Sequence, residues 1–148
     1  MKFKIIPNEQ TPKIEIPHNT LILDYSYKML IKFISFARRQ HKCAGLAANQ
    51  VSCNGDRIMK AFFAIKINNV WDLIINPKIL KYSGKKEIKI EKCLTWIGKE
   101  MQVARYLEIQ VNYINLKGDL FEKIVTGFQA QIWQHEYNHL MGIVEVMK

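Results

Sequence analysis

The stretch Thr126-Gly127-Phe128-Gln129-Ala130-Gln131-Ile132-Trp133-Gln134-His135-Glu136-Tyr137-Asn138-His139-Leu140-Met141-Gly142 reads as a helix with chemistry on one face. Thr126 and Gln129 stand at capping-box spacing, a hydroxyl residue followed three positions later by a glutamine. Phe128, Ile132, His135 and then His139 or Leu140 fall on one side of the helix, and Gly142 is placed to end it. Inside this helix lies H-E-x-x-H, His135 to His139. Positions four apart on a helix are neighbours, about 6 Å from each other, so two imidazoles there reach one cation. Glu136 sits beside the first of them and reaches a water on the cation rather than the cation itself. A metal lowers the pKa of such a water toward ~7 and the carboxylate takes the proton. The competing reading is a pair of surface histidines. It must account for two of the chain's four histidines standing four apart with a glutamate between them.

Working outward, a catalytic metal site needs a third protein ligand and one open position. Zinc metalloproteases with this motif take the third ligand from downstream. Nine residues follow His139, and Glu145 is the sole candidate among them. The third ligand is therefore expected upstream, and Cys93 in Ile90-Glu91-Lys92-Cys93-Leu94-Thr95-Trp96 is the best placed thiolate donor. The competing reading of Cys93 is a small buried hydrophobe. Cys43 and Cys53 have no such context and are expected to be structural. His18 and His41 are expected on the surface or in loops.

From Arg57 to Val125 the pattern is strand-like, with β-rich runs at 58–67, 70–75, 78–82, 87–90, 106–114 and 120–125. Leu107, Ile109, Val111 and Tyr113 alternate with polar neighbours as a half-buried strand does. Asn115-Leu116-Lys117-Gly118-Asp119 is a turn that makes a hairpin of the strands around it. Leu23 to Gln40 reads as a helix, begun by Asp24 or Thr20, with Leu23, Tyr27, Leu30, Ile31 and Ile34 at three- and four-residue spacings. Pro7, Pro12 and Pro17 suit an extended lead-in. The expected fold is α+β: antiparallel β-sheets packed around a C-terminal helix carrying H-E-x-x-H, with an N-terminal helix, in one catalytic domain spanning 1–148.

Length and composition agree with this. The chain has 148 residues, 49% hydrophobic and 24% charged, near the average for one globular domain. No apolar run approaches the ~20 residues of a membrane span, and the first ten residues lack a signal-peptide core. Three cysteines are too few and odd in number for a disulfide scaffold. The chain is expected in the cytoplasm, with no membrane partner. Its formal charge is +9, from 22 Lys+Arg against 13 Asp+Glu. The basic residues are dispersed and no RNA-binding motif accompanies them. A solvated basic surface is the reading preferred over a specific nucleic-acid site.

Three segments then carry a resemblance: Cys43-Ala44-Gly45-Leu46-Ala47-Ala48-Asn49-Gln50, Glu91-Lys92-Cys93-Leu94-Thr95 and Gln134-His135-Glu136-Tyr137-Asn138-His139. Peptide deformylases carry G-x-G-L-A-A-x-Q, E-G-C-L-S and Q-H-E-x-D-H in that order, and the chain resembles that family over nearly its whole length. Ile75-Asn76-Pro77 and Val103-Ala104-Arg105 also resemble family positions. The departures are Cys43 and Lys92 for glycine, Thr95 for serine and Asn138 for aspartate. The chain stops soon after Gly142 and resembles the short bacteriophage forms, which makes ribosome docking through a C-terminal helix unexpected and leaves a transient ribosome contact.

The resemblance implies hydrolysis of the N-formyl group from the initiator methionine of newly made chains. It implies one divalent metal, Fe(II) foremost with Zn, Ni or Co as alternatives, held by Cys93, His135 and His139, with Glu136 as general acid and base. It implies an oxyanion stabilised by the side-chain amide of Gln50 and the backbone N–H of Leu94. Gly45 and Leu46 would meet substrate main chain as an added strand, while Ala44 and Ile132 would line the methionine pocket or simply be core. Arg105 is expected in a structural salt bridge. Two other functions stay in view: an H-E-x-x-H zinc peptidase, and a catalytically silent relative that binds nascent chains or ribosomes.

Overall fold

A computed structural model describes residues 1–6, 14, 27–40, 44–92 and 100–143. In chain order these form β1 (Phe3–Ile5), α1 (Tyr27–Arg38), β2 (Gly45–Ala47), a 3₁₀ turn (Ala48–Gln50), β3 (Val51–Cys53), β4 (Asp56–Arg57), β5 (Phe62–Ile67), β6 (Val70–Lys92), β7 (Glu100–Ile114), β8 (Leu120–Thr126) and α2 (Gly127–Leu140). A five-stranded antiparallel sheet runs β2-β5-β6-β7-β8, and a small second sheet runs β1-β3-β4. The expected α+β architecture stands, with both helices where the spacing puts them.

The large sheet is covered on both faces, which explains the unbroken apolar runs of its central strands. Phe62, Ala64, Leu73 and Ile75 face α1, where they join Leu30, Phe33, Phe36 and Ala37. Phe63, Ile65 and Ile74 point the other way, into a cluster with Ile109, Val111, Tyr113, Trp133 and Leu140 under α2. Each layer has an edge-to-face aromatic contact at its centre: Phe33 on Phe62 at 4.9 Å and Phe63 on Trp133 at 5.0 Å. Such contacts contribute about 0.5–1.5 kcal/mol each beyond area burial.

Several expectations need correction. The runs 70–75, 78–82 and 87–90 are one strand, β6, of 23 residues. Asn76 and Gly84 take left-handed φ of 51° and 80°, and the pairing with β7 shifts register between Ile75 and Lys78 and between Ser83 and Lys86. Bulges absorb the turn-like residues that read as breaks. Strand β5 begins at Phe62 rather than Ile58. The turn 115–119 is as expected, closed by Asn115 N–H to Asp119 C=O at 3.0 Å. Thr126 is the N-cap of α2, but its side chain makes no capping hydrogen bond, so the capping box is not formed. Phe128 is 65% exposed and does not share the buried face of Ile132, His135 and His139. The C-terminus of α2 is closed as the Gly142 reading requires. Gly142 has φ 74°, its N–H meets His139 C=O at 3.0 Å, and Ile143 N–H meets Asn138 C=O at 2.8 Å. These two bonds are the Schellman pattern. The expected helix start at Thr20 or Asp24, together with Cys43, Cys93, Leu94, Thr95, His18 and His41, lies outside the described residues.

Candidate metal centre

Helix α2 presents His135, Glu136 and His139 into the interior, and all three are buried. Their ligand-type atoms lie within 4.8 Å of one another. The two imidazole Nε2 atoms are 3.2 Å apart, with ring centroids 4.9 Å apart. Such convergence follows from the i,i+4 spacing of the motif.

The orientation of His135 is fixed from behind. Its Nδ1 lies 2.6 Å from Glu91 Oε1, so the Nδ1–H donates to the carboxylate and Nε2 is left as the lone-pair donor toward His139. Arg105 holds the same carboxylate in a two-pronged grip, Nε to Oε2 at 2.9 Å and Nη2 to Oε1 at 2.7 Å. Burial by itself would raise the Glu91 pKa. The hydrogen bonds from Arg105 and His135, with their charges, outweigh it and bring the carboxyl down to about 2. Arg105 is 3% exposed and forms the structural salt bridge expected of it. Glu91 orients His135 from behind, a contact that spacing did not reveal. Its one sequence signal was its place at the head of the Glu91-Lys92-Cys93 segment.

Glu136 is the reverse case. Burial pushes its carboxyl up to about 7, the negative Glu91 adding to the rise while His135 and Arg105 oppose it. Its Oε1 is buried and has no hydrogen-bond partner among the described residues. A carboxyl near neutrality can both take and return a proton. His139 is pushed well below the ordinary imidazole range, first by burial and then by the positive charges of Arg105 and of His135 whenever that ring is protonated. It is therefore the neutral form, the form that ligates a metal.

These residues fit a divalent cation. Two neutral or lone-pair-bearing imidazole nitrogens converge, one of them oriented by a buried carboxylate, beside a carboxylate whose Oε1 makes no hydrogen bond among the described residues. A carboxylate–histidine pair of this kind is the usual support of a metal-bound imidazole. Cys93, the expected third ligand, lies outside the described residues. It follows Glu91 by two positions, and Glu91 itself is in contact with His135.

The segment 44–50 closes the site from the sheet side. Gly45 is packed so tightly on Glu136 that a Cβ there would stand 2.6 Å from Oε2. Gln50 is 2% exposed, and its Oε1 accepts from Ala47 N–H at 3.0 Å, which anchors the side-chain amide to the backbone of the same turn. Leu46 is fully buried and joins the α1-side cluster, so its side chain is core. Ile132 is buried in the α2-side cluster, and Ala44 packs against that cluster half-buried. Gln134 clamps α2 to β7. Its Oε1 accepts from Tyr106 N–H at 2.9 Å and its Nε2 donates to Tyr106 C=O at 2.8 Å.

A buried histidine pair and glutamate on a helix, docked on a sheet and backed by a carboxylate–guanidinium pair, define the class: an α+β domain with the metal-binding helix of metallohydrolases. The family model for polypeptide deformylase matches residues 9–148. The chain belongs to the polypeptide deformylase family. It is 35% identical to a peptide deformylase of Thermotoga petrophila over 100 residues, which are 68% of this chain and 58% of that relative. It thus spans just over half the length of that curated relative. It is 31% identical to the peptide deformylase of Aquifex aeolicus across 96% of this chain and 83% of that one. The crystal structure of a Met-Ala-Ser-bound peptide deformylase from Acinetobacter baumannii superposes with a TM-score of 0.74 at 26% identity, covering 90% of this chain and 87% of that chain.

Proposed function

We propose that the chain hydrolyses the N-formyl group from the N-terminal methionine of newly made polypeptides, using one divalent metal ion held by His135, His139 and Cys93. The observation that carries the reading is the buried convergence of the His135 and His139 imidazoles with the Glu136 carboxyl, which packs against the backbone of Gly45. The metal, Fe(II) foremost and Zn, Ni or Co otherwise, supplies Lewis acidity and a water of lowered pKa.

The rest of the chemistry falls to the chain's own groups. Glu136 takes the proton of the attacking water and passes it to the leaving amine as the C–N bond breaks. The side-chain amide of Gln50 and the backbone N–H of Leu94 donate to the developing oxyanion. Among the described residues strand β2 is outermost in its sheet, which supports the addition of a substrate peptide along Gly45 and Leu46 as a further strand. Ala44 and Ile132 border the space proposed for the methionine side chain. The Acinetobacter relative's structure with bound Met-Ala-Ser supports a substrate of this kind. The proposed setting is the cytoplasm of a bacterial or phage-infected cell, with transient ribosome contact and no specific nucleic-acid partner. No described helix is long and apolar enough to cross a membrane.

The test is a pair of variants assayed on formyl-Met-Ala-Ser and on its unformylated counterpart. Glu136→Ala is expected to retain metal and lose turnover by several orders of magnitude. Cys93→Ala is expected to lower metal content by elemental analysis. Parental turnover in Glu136→Ala, or cleavage of internal peptide bonds irrespective of the formyl group, would refute the proposal.

A further inference from the structure

Asn49 occupies the position that the first deformylase-like segment leaves open, and nothing in the motif assigns it a role. It is completely buried. Its side-chain Nδ2 donates to the main-chain carbonyl of His139 at 2.6 Å, across 90 residues of sequence. The bond is at the short end of what N–H···O hydrogen bonds reach, whose usual range is about 2.7–3.2 Å, and both of its groups are buried.

The place it binds gives that bond its meaning. His139 lies in the last turn of α2, where carbonyls have lost their helical N–H partners. Gly142 N–H meets the His139 carbonyl from within the chain at 3.0 Å, and Asn49 meets it from another element. A terminal turn is the part of a helix that frays most readily. Here that turn carries one of the two imidazoles of the metal centre, so the side chain of Asn49 restrains the backbone from which a ligand projects.

The other end of Asn49 is equally held. Its own main-chain carbonyl accepts from Arg57 Nη1 at 3.2 Å, which ties the 3₁₀ turn to β4. The next residue is Gln50, whose amide is oriented by Ala47 N–H. The turn that carries Gln50 and the helix end that carries His139 are therefore joined through a single side chain.

We infer that Asn49 is a positioning residue, which sets the distance between the Gln50 turn and the His139 end of α2 and thereby holds the metal-binding end of the helix in register with the turn that carries Gln50. The inference rests on the proposed metal site, and its test reads metal binding and amide exchange as well as turnover, so the two readings fail separately. Metal-free parent, Asn49→Ala and Asn49→Asp are each titrated with Co(II) against a chelator of known affinity. Asn49→Asp keeps the shape and removes the donor. Both variants are expected to bind Co(II) at least tenfold more weakly, in the range typical of lost support behind a metal ligand. On formyl-Met-Ala-Ser, kcat is expected to fall more than KM rises. A parent that binds Co(II) yet leaves the formyl peptide intact would overturn the deformylase reading and leave the metal measurement standing.

If both variants melt at lower temperature yet bind Co(II) as the parent does, with unchanged kcat, Asn49 is merely structural and the inference is wrong. Should neither variant fold, the parent itself decides. The Asn49 side-chain amide, followed by nitrogen-15 NMR, is expected to exchange with solvent far more slowly than exposed asparagine amides and to shift when Zn(II) is added. Fast exchange, or no shift on Zn(II), overturns the inference.

Discussion

At Gly45 a methyl group would stand 2.6 Å from Glu136 Oε2 and 2.8 Å from its Cγ, closer than non-bonded carbon contacts allow. The glycine is needed for that close approach and not for a special backbone angle. Gly45→Ala must displace the carboxylate that the proposed mechanism uses as its base. A misplacement of about 1 Å at such a group costs roughly a hundredfold in rate, so kcat on formyl-Met-Ala-Ser should drop at least tenfold while metal content stays near parental. Parental kcat in that variant would show that Glu136 works from another position. The sequence exposed the residues whose spacing is itself the signal: His135, Glu136 and His139 declare themselves because one helix brings them together. Glu91 and Asn49 did not, because each acts on α2 from a distant segment, 44 and 90 residues away, and no local period marks such a pairing.

Among the elements, α2 and β7 show how a side chain can finish a sheet edge. Strand β8 pairs with β7 only from Glu108 to Ile114, while Tyr106 pairs with Lys86 of β6 on its other side. At Tyr106 the uncovered edge is occupied by the Gln134 amide, which meets both the N–H and the C=O as a neighbouring strand would. Gln134→Ala removes both bonds and a third to Ala130 C=O. The expected loss of stability is about 1–3 kcal/mol, the cost of leaving partly buried backbone groups without partners. Urea denaturation should register it, and hydrogen exchange at Tyr106 N–H should quicken. An unchanged urea midpoint would mean that the edge does not depend on this side chain. The same strands show where element reading fails. Asn76-Pro77 and Ser83-Gly84 look like punctuation, yet in β6 they are bulges in a strand kept continuous by its pairing with β7, an effect of tertiary context that a local window does not contain.

Over the whole molecule, the fold class was legible because its causes are repeated: two helical periods, and several strands with alternating or doubly buried patterns. The two-sided burial of the sheet was less legible, since an unbroken run such as Phe62-Phe63-Ala64-Ile65 shows that both faces are covered but not by what. Beyond apolar packing, and beside the Gln134 and Asn49 bonds, the layers are joined by the trio Glu91, Arg105 and His135, one residue each from β6, β7 and α2. Glu91 has a pKa of about 2 against an ordinary 4.5. Because the folded value is the lower one, its contribution to stability is complete above about pH 4.5 and is lost as the pH falls toward 2. The shift corresponds to about 3 kcal/mol. Metal-free protein, kept in chelator, is therefore expected to lose stability to urea steeply across that acid window. Glu91→Gln cannot ionise and leaves Arg105 buried without its charge partner, so it should start well below the parent at pH 6 and meet it near pH 2. If the gap between the two urea curves stays constant from pH 6 to pH 2, the Glu91 carboxylate is not what ties helix to sheet.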